Sequence, residues 1–313
     1  MEEIEEKLKK ELGDDLKQNV PLREHTSMGV GGIADFFYIA KDINDLVKAV
    51  SVAYKSNLPY FVIGGGYNII PSDSGFPGLV IKNQTSNIAF SNDNSQVIVD
   101  SGVTIGKLIN TAASRDLGGL EFLYGVPGTI GGAVYGNAGA FSYEMGEFVK
   151  SAILLVPKED KLDIVKRDAS WFGFDYRVSK LKKTNAAIKF KPIVLTVKLQ
   201  LVRRRRDEIL GLIQQNLEKK KNTQPLDEKS AGSFFKNVGK QVENSAGYML
   251  DQVGAKKIKI GGAAISKKHA NFIVNKKNAT ATDVRQLAEK MKELVREKFG
   301  QELEEEIEYI GQW

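Results

Sequence analysis

Ile4, Leu8, Leu12 and Leu16 stand four apart, an apolar stripe that predicts a helix over 4–16. Gly13 weakens its last turn, because an interior glycine costs about 1 kcal/mol against alanine. Aromatic and β-branched residues at 36–39 predict a strand. Asp42 or Asn44 can then cap a helix whose inward positions are Leu46, Val47, Val50 and Ala53. Pro59 ends that helix before a second short strand at 60–63, a strand–helix–strand unit that favours a right-handed parallel crossover. Short strands follow at 79–81, 88–90 and 97–99, and Thr104 caps a helix with Leu108, Ile109 and Ala112 inward.

Further strands are expected near 151–156, 162–165 and 187–201, the last bulged or partly an edge because it contains Pro192. A composition shift follows, with a basic helix over 203–222 and a polar loop over 223–232, so a domain break is placed near residue 203. Val284, Leu287, Ala288, Met291, Leu294 and Val295 then repeat at helical spacing over 282–299, and 307–310 is a closing strand. No internal repeat of 20 to 50 residues is visible.

Two glycine-rich segments interrupt these patterns. Gly64, Gly65 and Gly66 follow a strand directly, where successive N–H groups can form a nest for phosphate oxygens or merely a tight turn. The spacing fits neither the dinucleotide fingerprint nor the P-loop. The second segment, 117–144, holds eight glycines and Pro127 among Leu, Phe, Val, Ile and Ala. So much glycine argues against a comfortable helix and for buried, tightly turned backbone against something large and flat.

Composition narrows the chemistry. The chain has 313 residues, length enough for two domains, and no cysteine. Disulfides, thiolate metal sites and thiol nucleophiles are thereby excluded, and two histidines, His25 and His269, make a histidine metal cage improbable. No metal is expected, so chemistry must run on Ser, Tyr, Arg, Lys, Asp and Glu or on an organic cofactor. The net charge of +6 suits anionic partners. Its densest patches, 203–206 and 219–221, read as solvated helix faces and lack the interleaved aromatics of a nucleic-acid surface. No apolar run is long enough to span a bilayer, and the N-terminus lacks the apolar core of a signal peptide, so a cytoplasmic protein is expected.

Taken in order, several motifs resemble the UDP-N-acetylenolpyruvoylglucosamine reductase family. They are PLREHTSMGVGGIAD at 21–35, VIGGGYNII at 62–70, GLEFLYGVPGTIGGAVYGNAGA at 119–140, FDYRVS at 174–179, AGSFFKN at 231–237 and AGYMLDQVGAKKIKIGGAAISKKHANFIVN at 246–275. The resemblance implies an α+β fold: a two-subdomain FAD-binding region of the vanillyl-alcohol-oxidase type plus a C-terminal α+β substrate-binding domain. The corresponding spans are 1–82, 83–203 and 204–300, with 301–313 as a strand carrying a catalytic glutamate. Nothing between Leu201 and Ser230 could supply the tyrosine-bearing loop of longer members, so the chain resembles the shorter type.

It further implies a monomeric, cytoplasmic flavoenzyme of peptidoglycan precursor synthesis that uses NADPH and noncovalent FAD. The substrate would be UDP-N-acetylglucosamine enolpyruvate and the product UDP-N-acetylmuramate, with neither nucleic acid nor membrane as partner. Arg177 would clamp the substrate carboxylate, Ser233 would donate a proton and Glu306 would polarise the substrate, with Glu304, Glu305 and Glu308 as rivals for that last role. Tyr176, Lys236 and Asn237 would contact substrate. Gly64, Gly65, Gly66, Tyr67 and Asn68 would hold the FAD pyrophosphate; Gly125, Pro127, Gly128, Gly132, Ala133, Asn137, Gly139 and Ala140 would line the rest of the cofactor. Tyr67 and Tyr135 depart from the family pattern. His25 is expected to be structural, and Lys267, Lys268 and His269 to be solvated or in contact with phosphate. The rival readings are another flavin oxidoreductase of the superfamily and a non-enzymatic nucleotide- or nucleic-acid-binding protein.

Overall fold

A computed structural model describes residues 2–93, 95–159, 161–183, 190–239 and 241–313. In chain order they form α1 (Glu2–Leu12), β1 (Lys17–Pro21), β2 (Ile33–Ala40), α2 (Ile43–Lys55), β3 (Tyr60–Ile63), β4 (Ile69–Pro71), β5 (Phe76–Asn83), β6 (Ile88–Phe90), β7 (Gln96–Asp100) and α3 (Ile105–Ala113). The middle of the chain adds β8 (Leu117–Gly118), α4 (Ile130–Gly136), β9 (Gly139–Ala140), β10 (Tyr143–Glu144), β11 (Val149–Lys158), β12 (Lys161–Asp168), α5 (Lys180–Lys183), β13 (Ile193–Gln200) and β14 (Val202–Arg203). It closes with α6 (Arg206–Thr223), α7 (Ala246–Gln252), β15 (Lys259–Ile260), β16 (Ala263–Ile265), β17 (Ile273–Asn275), α8 (Ala281–Phe299) and β18 (Glu308–Ile310).

These elements divide into two compact units. The first takes residues 1–18, 36–65 and 78–218; the second takes 19–35, 66–77 and 219–313.

Within the first unit, one core lies between α1, α2 and a four-stranded sheet of order β1-β2-β5-β3, in which β3 and β5 are parallel. Asp42 caps α2 by accepting the Asp45 N–H, which places Leu46, Ala49, Val50 and Ala53 on the buried face. The second core lies under an antiparallel sheet of order β12-β11-β13-β7-β6, covered by α3, α4 and part of α6. Thr104 caps α3 through the Lys107 N–H, as its position in the sequence suggested.

Four expectations need correction. Helix α1 stops at Leu12 and a 3-10 turn follows, because Gly13 adopts φ +69°. Strand β13 starts at Ile193, directly after Pro192, and is central, flanked by β11 and β7; the proline costs no ladder bond there. The register of β11 on β13 does shift twice, so a bulge is present, whereas residues 187–189 of the expected strand lie outside the described residues.

The basic patches are not wholly solvated. Arg204 pairs at 2.8 Å with Glu121, whose side chain is 5% exposed, and Lys220 is itself buried, so that desolvation lowers its pKa to about 8.

The largest correction is α4, a helix inside the glycine-rich segment. Thr129 caps it through the Gly132 N–H, and Ile130, Ala133 and Val134 are buried. One of its glycines answers to packing. A Cβ on Gly131 would lie 2.8 Å from the Ser101 Cβ and 3.1 Å from the Ser101 carbonyl oxygen. Tertiary contact therefore overrides the local penalty.

The second unit packs α7, α8 and the antiparallel β15-β16-β17 sheet around Phe234, Phe235, Leu250, Val284, Leu287 and Met291. The 66–77 excursion joins it through the parallel pair β4–β18 and through Asp73, which accepts the Ala281 and Thr282 N–H groups at 2.8 Å each. His269 serves this packing: its Nδ1 accepts the Asn271 N–H at 3.2 Å and its ring meets Phe272 edge-on. Lys268 donates to the Lys221 carbonyl.

Two outcomes follow. Gly131→Ala should lower unfolding free energy by about 1–3 kcal/mol through overpacking. Gly136→Ala, where a Cβ meets nothing within 4 Å, should be neutral or slightly stabilising in apoprotein denaturation. Burial, then Lys256, depresses the His269 pKa below 6.5. The unfolded chain then binds the extra proton first, so stability present above pH 6.5 should fall as pH drops through the folded value; His269→Asn should flatten that slope in urea titrations.

Candidate active site

In the first unit the expected site residues gather where β3, α4 and β9 end. Gly64 follows β3, packed so closely that a Cβ would lie 2.3 Å from Thr129 Oγ1, with Gly65 next. Gly125 (φ +74°), Pro127 and Gly128 (φ +140°) shape the loop into α4, whose residues Gly132 and Ala133 follow. Ala133 is buried in the core, so its side chain is spent on packing. Gly139 and Ala140 form β9 against Glu144 and Tyr143.

Asn137 organises this region. It ends α4 in the left-handed conformation, φ +46°, and is fully buried. Its Oδ1 accepts the Gly146 N–H at 2.8 Å, while Nδ2 donates to Glu144 Oε2 at 2.6 Å and to the Asp175 carbonyl at 2.8 Å. Both amide N–H groups and the amide oxygen are engaged inside the protein, three of the four hydrogen bonds the group can make.

Asp175 and Val178 exchange main-chain hydrogen bonds at 3.0 and 2.9 Å, closing a hairpin with Tyr176 and Arg177 at its tip. Arg177 has φ +55°, a strained value for a residue with a side chain. Its Nη2 donates to the Gly139 carbonyl at 2.5 Å, Nη1 lies 3.9 Å from Glu144, and the guanidinium sits 5.0 Å from the Tyr176 ring. Ser179 Oγ, fully buried, anchors the hairpin by donating to the Tyr135 carbonyl at 2.6 Å. The fork is thus half-buried, oriented and already matched to oxygen acceptors.

In the second unit, Ser233 follows Gly232, a left-handed turn at φ +81°. The next two residues are locked. The Phe234 N–H donates to the Asn271 carbonyl at 2.8 Å, and the Asn271 side chain both accepts the Phe235 N–H at 2.9 Å and donates to the Phe235 carbonyl at 2.8 Å. Among the described residues the Ser233 hydroxyl makes no hydrogen bond. The C-terminal segment lies alongside: the Glu306 N–H donates to the Phe234 carbonyl at 2.8 Å and the Lys236 N–H to the Glu304 carbonyl at 2.8 Å. Ser233 and Glu306 therefore stand on adjoining, hydrogen-bonded segments. Lys236, nearly buried, pairs with Glu304, and Asn237 Oδ1 accepts the Ala246 N–H at 3.2 Å.

The glycine loop faces these segments through Ser27. Its N–H donates to the Gly66 carbonyl at 3.0 Å and its hydroxyl to the Ser230 carbonyl at 2.6 Å. Gly66 has φ +72°, and a Cβ there would lie 2.0 Å from the His25 carbonyl oxygen. The main-chain N–H groups of Gly66, Tyr67 and Asn68 donate to no acceptor among the described residues, and Tyr67 and Asn68 are exposed. Three consecutive free donors fit an anion such as the FAD pyrophosphate.

Ser27 and Asn271 carried no assigned role in the sequence, although both lie in motifs that match the family, Ser27 in 21–35 and Asn271 in 246–275. Among the described residues no His, Asp or Glu cluster could hold a metal. An open groove of about 870 Å³ beside α8 is lined by Asp73, Arg285 and Trp313, and none of the expected site residues lines it. No described helix is long and apolar enough to cross a membrane.

Comparison with known proteins agrees. Residues 34–158 match an FAD binding domain, and residues 224–310 match the UDP-N-acetylenolpyruvoylglucosamine reductase C-terminal domain. The reductase of Anoxybacillus flavithermus is 36% identical over 311 residues, 99% of each chain. That of Geotalea uraniireducens is 39% identical over 302 residues, 96% of this chain and 95% of the relative. The crystal structure of the reductase from Thermus caldophilus superposes with a TM-score of 0.76 at 32% identity, covering 93% of this chain and 97% of the other. With both domains matched and similarity along nearly its whole length, the chain belongs to the UDP-N-acetylenolpyruvoylglucosamine reductase family and is an FAD-dependent oxidoreductase.

Proposed function

We propose that the chain reduces UDP-N-acetylglucosamine enolpyruvate to UDP-N-acetylmuramate, with NADPH as reductant, in peptidoglycan precursor synthesis. The observation that carries this reading is the Ser233 hydroxyl, which has no hydrogen-bond partner among the described residues and stands beside the carbonyl that receives the Glu306 N–H. When bound, FAD supplies the hydride that NADPH delivers to the site. Negative charge then accumulates on the carbon bearing the substrate carboxylate, and the protein must spread it and quench it.

Arg177 spreads it. A guanidinium fork binds a carboxylate through two parallel hydrogen bonds and stabilises the enolate-like form. Ser233 quenches it by giving its proton to the carbon. A hydroxyl is a weak acid, but the acceptor is a strong carbon base, and placement counts for more than matched acidity. Glu306 orients the substrate carboxylate from the neighbouring segment. Tyr176, Lys236 and Asn237 complete the substrate contacts, and the glycine loop with the 125–140 main chain holds the cofactor. The reading keeps FAD-binding subdomains at 1–82 and 83–203, a substrate domain at 204–300 and a closing strand at 301–313. It places a monomeric enzyme in the cytoplasm, without nucleic-acid or membrane partners.

Stopped-flow absorbance separates the two half-reactions. Ser233→Ala should leave NADPH bleaching of the flavin nearly unchanged, while reoxidation by the enolpyruvyl substrate slows by about 10²–10⁴-fold. An equal fall in both half-reactions would make Ser233 structural and sink its assignment. Arg177→Lys keeps the charge but loses the fork, so kcat/KM should fall by about 10–100-fold. Unchanged steady-state kinetics would move the clamp to another residue.

A further inference from the structure

We infer that Asn68 is a positioning residue for Glu306, an inference that rests on the role proposed for Glu306 above. Strands β4 and β18 pair in parallel over three rungs, with Glu308 on Ile69, Tyr309 on Ile70 and Ile310 on Pro71. The Glu308 N–H continues the pattern by donating to the Asn68 carbonyl at 3.0 Å. One rung earlier the pattern changes. The Glu306 carbonyl receives the Asn68 side-chain Nδ2 at 3.1 Å, where a regular ladder would use the main-chain N–H.

The substitution has two effects. It leaves the main-chain N–H of Asn68 out of the ladder, beside those of Gly66 and Tyr67. It also holds the Glu306 main chain on both sides, since the Glu306 N–H is given to the Phe234 carbonyl at 2.8 Å. With both peptide groups held, the Cα–Cβ direction of Glu306 is set relative to the segment bearing Ser233. Strand neighbours point to opposite faces, so register at this position decides which glutamate is presented. The side chain of Asn68 thus acts on the C-terminal segment, and its main chain is what remains for the cofactor.

The test uses the FAD-loaded enzyme with Asn68→Ala and with Asn68→Leu, which keeps the branched shape, adds no charge and cannot donate. FAD affinity, read by flavin fluorescence, and NADPH bleaching should stay within about 2-fold, while reoxidation by substrate slows by about 10–100-fold, the scale of one lost donor to a constrained acceptor. In a Glu306→Gln background the Asn68→Ala change should add little. Loss of FAD affinity with normal reoxidation in the loaded variant would assign the side chain to the cofactor and overturn the inference. Effects that multiply in the double variant would overturn it too, because Asn68 would then act independently of Glu306. If Glu306→Gln alone left reoxidation unchanged, the role of Glu306 would fail, and the positioning role with it. Asn68→Leu keeps the comparison available should the alanine variant melt early.

Discussion

The buried amide of Asn137 shows the constraint on which the site-bearing segments depend. A buried polar group left without a partner costs about 1–3 kcal/mol, and irregular backbone has no ladder to supply one. In the glycine-rich region the Asn137 amide fills that gap by joining Gly146, Glu144 and the Asp175 carbonyl from the end of α4. The second unit uses the same device repeatedly. Asn271 satisfies both main-chain groups of Phe235, and Asn275 receives the Ala279 N–H at 2.8 Å while donating to the Met28 carbonyl at 3.0 Å. Side-chain amides do here what strands do elsewhere, and they free the loops from regular shape.

The same economy explains the geometry of Arg177. Its left-handed backbone costs about 1–3 kcal/mol in isolation and persists because the hairpin on either side is closed by two hydrogen bonds. Gly139 belongs to that arrangement, since a Cβ there would lie 2.8 Å from Arg177 Nη1. Glu144 is near the guanidinium, but its Oε2 accepts from Asn137 Nδ2 at 2.6 Å, so its charge is shared and the 3.9 Å contact is a loose one. The guanidinium is thus oriented chiefly by the Gly139 carbonyl, at 2.5 Å.

Features decided within a few residues were legible in the sequence. Asp42 and Thr104 cap helices as read, and β6 spans the expected 88–90, because cap chemistry and alternation are local. Features decided across the fold were not. Helix α4 defeats the glycine penalty because Gly131 meets Ser101, thirty positions earlier in the chain. Arg204 reads as surface charge until Glu121 is placed beside it, and nothing near Asn271 announces that it will grip Phe235. The fold class and the candidate chemistry came from motif order rather than from periodicity. Arg177 and Ser233, ambiguous as single residues, take their proposed roles from family resemblance.

The acidic run at the C-terminus shows how packing distinguishes residues that spacing left alike. Glu304, Glu305, Glu306 and Glu308 are chemically alike, and a slip of one residue exchanges the face presented. Glu304 is committed to Lys236. Glu305 faces inward, 3.7 Å from Lys292 and 3.4 Å from the Tyr309 hydroxyl, and burial raises its carboxyl pKa against the opposing pull of Lys292. Glu308 is already inside β18, paired with Ile69. Glu306 is the member whose N–H reaches the carbonyl next to Ser233 and whose own carbonyl is held by Asn68. The run is ordered by two lysines, a short parallel strand and one amide. That order gives each glutamate a different setting without any difference in side-chain chemistry.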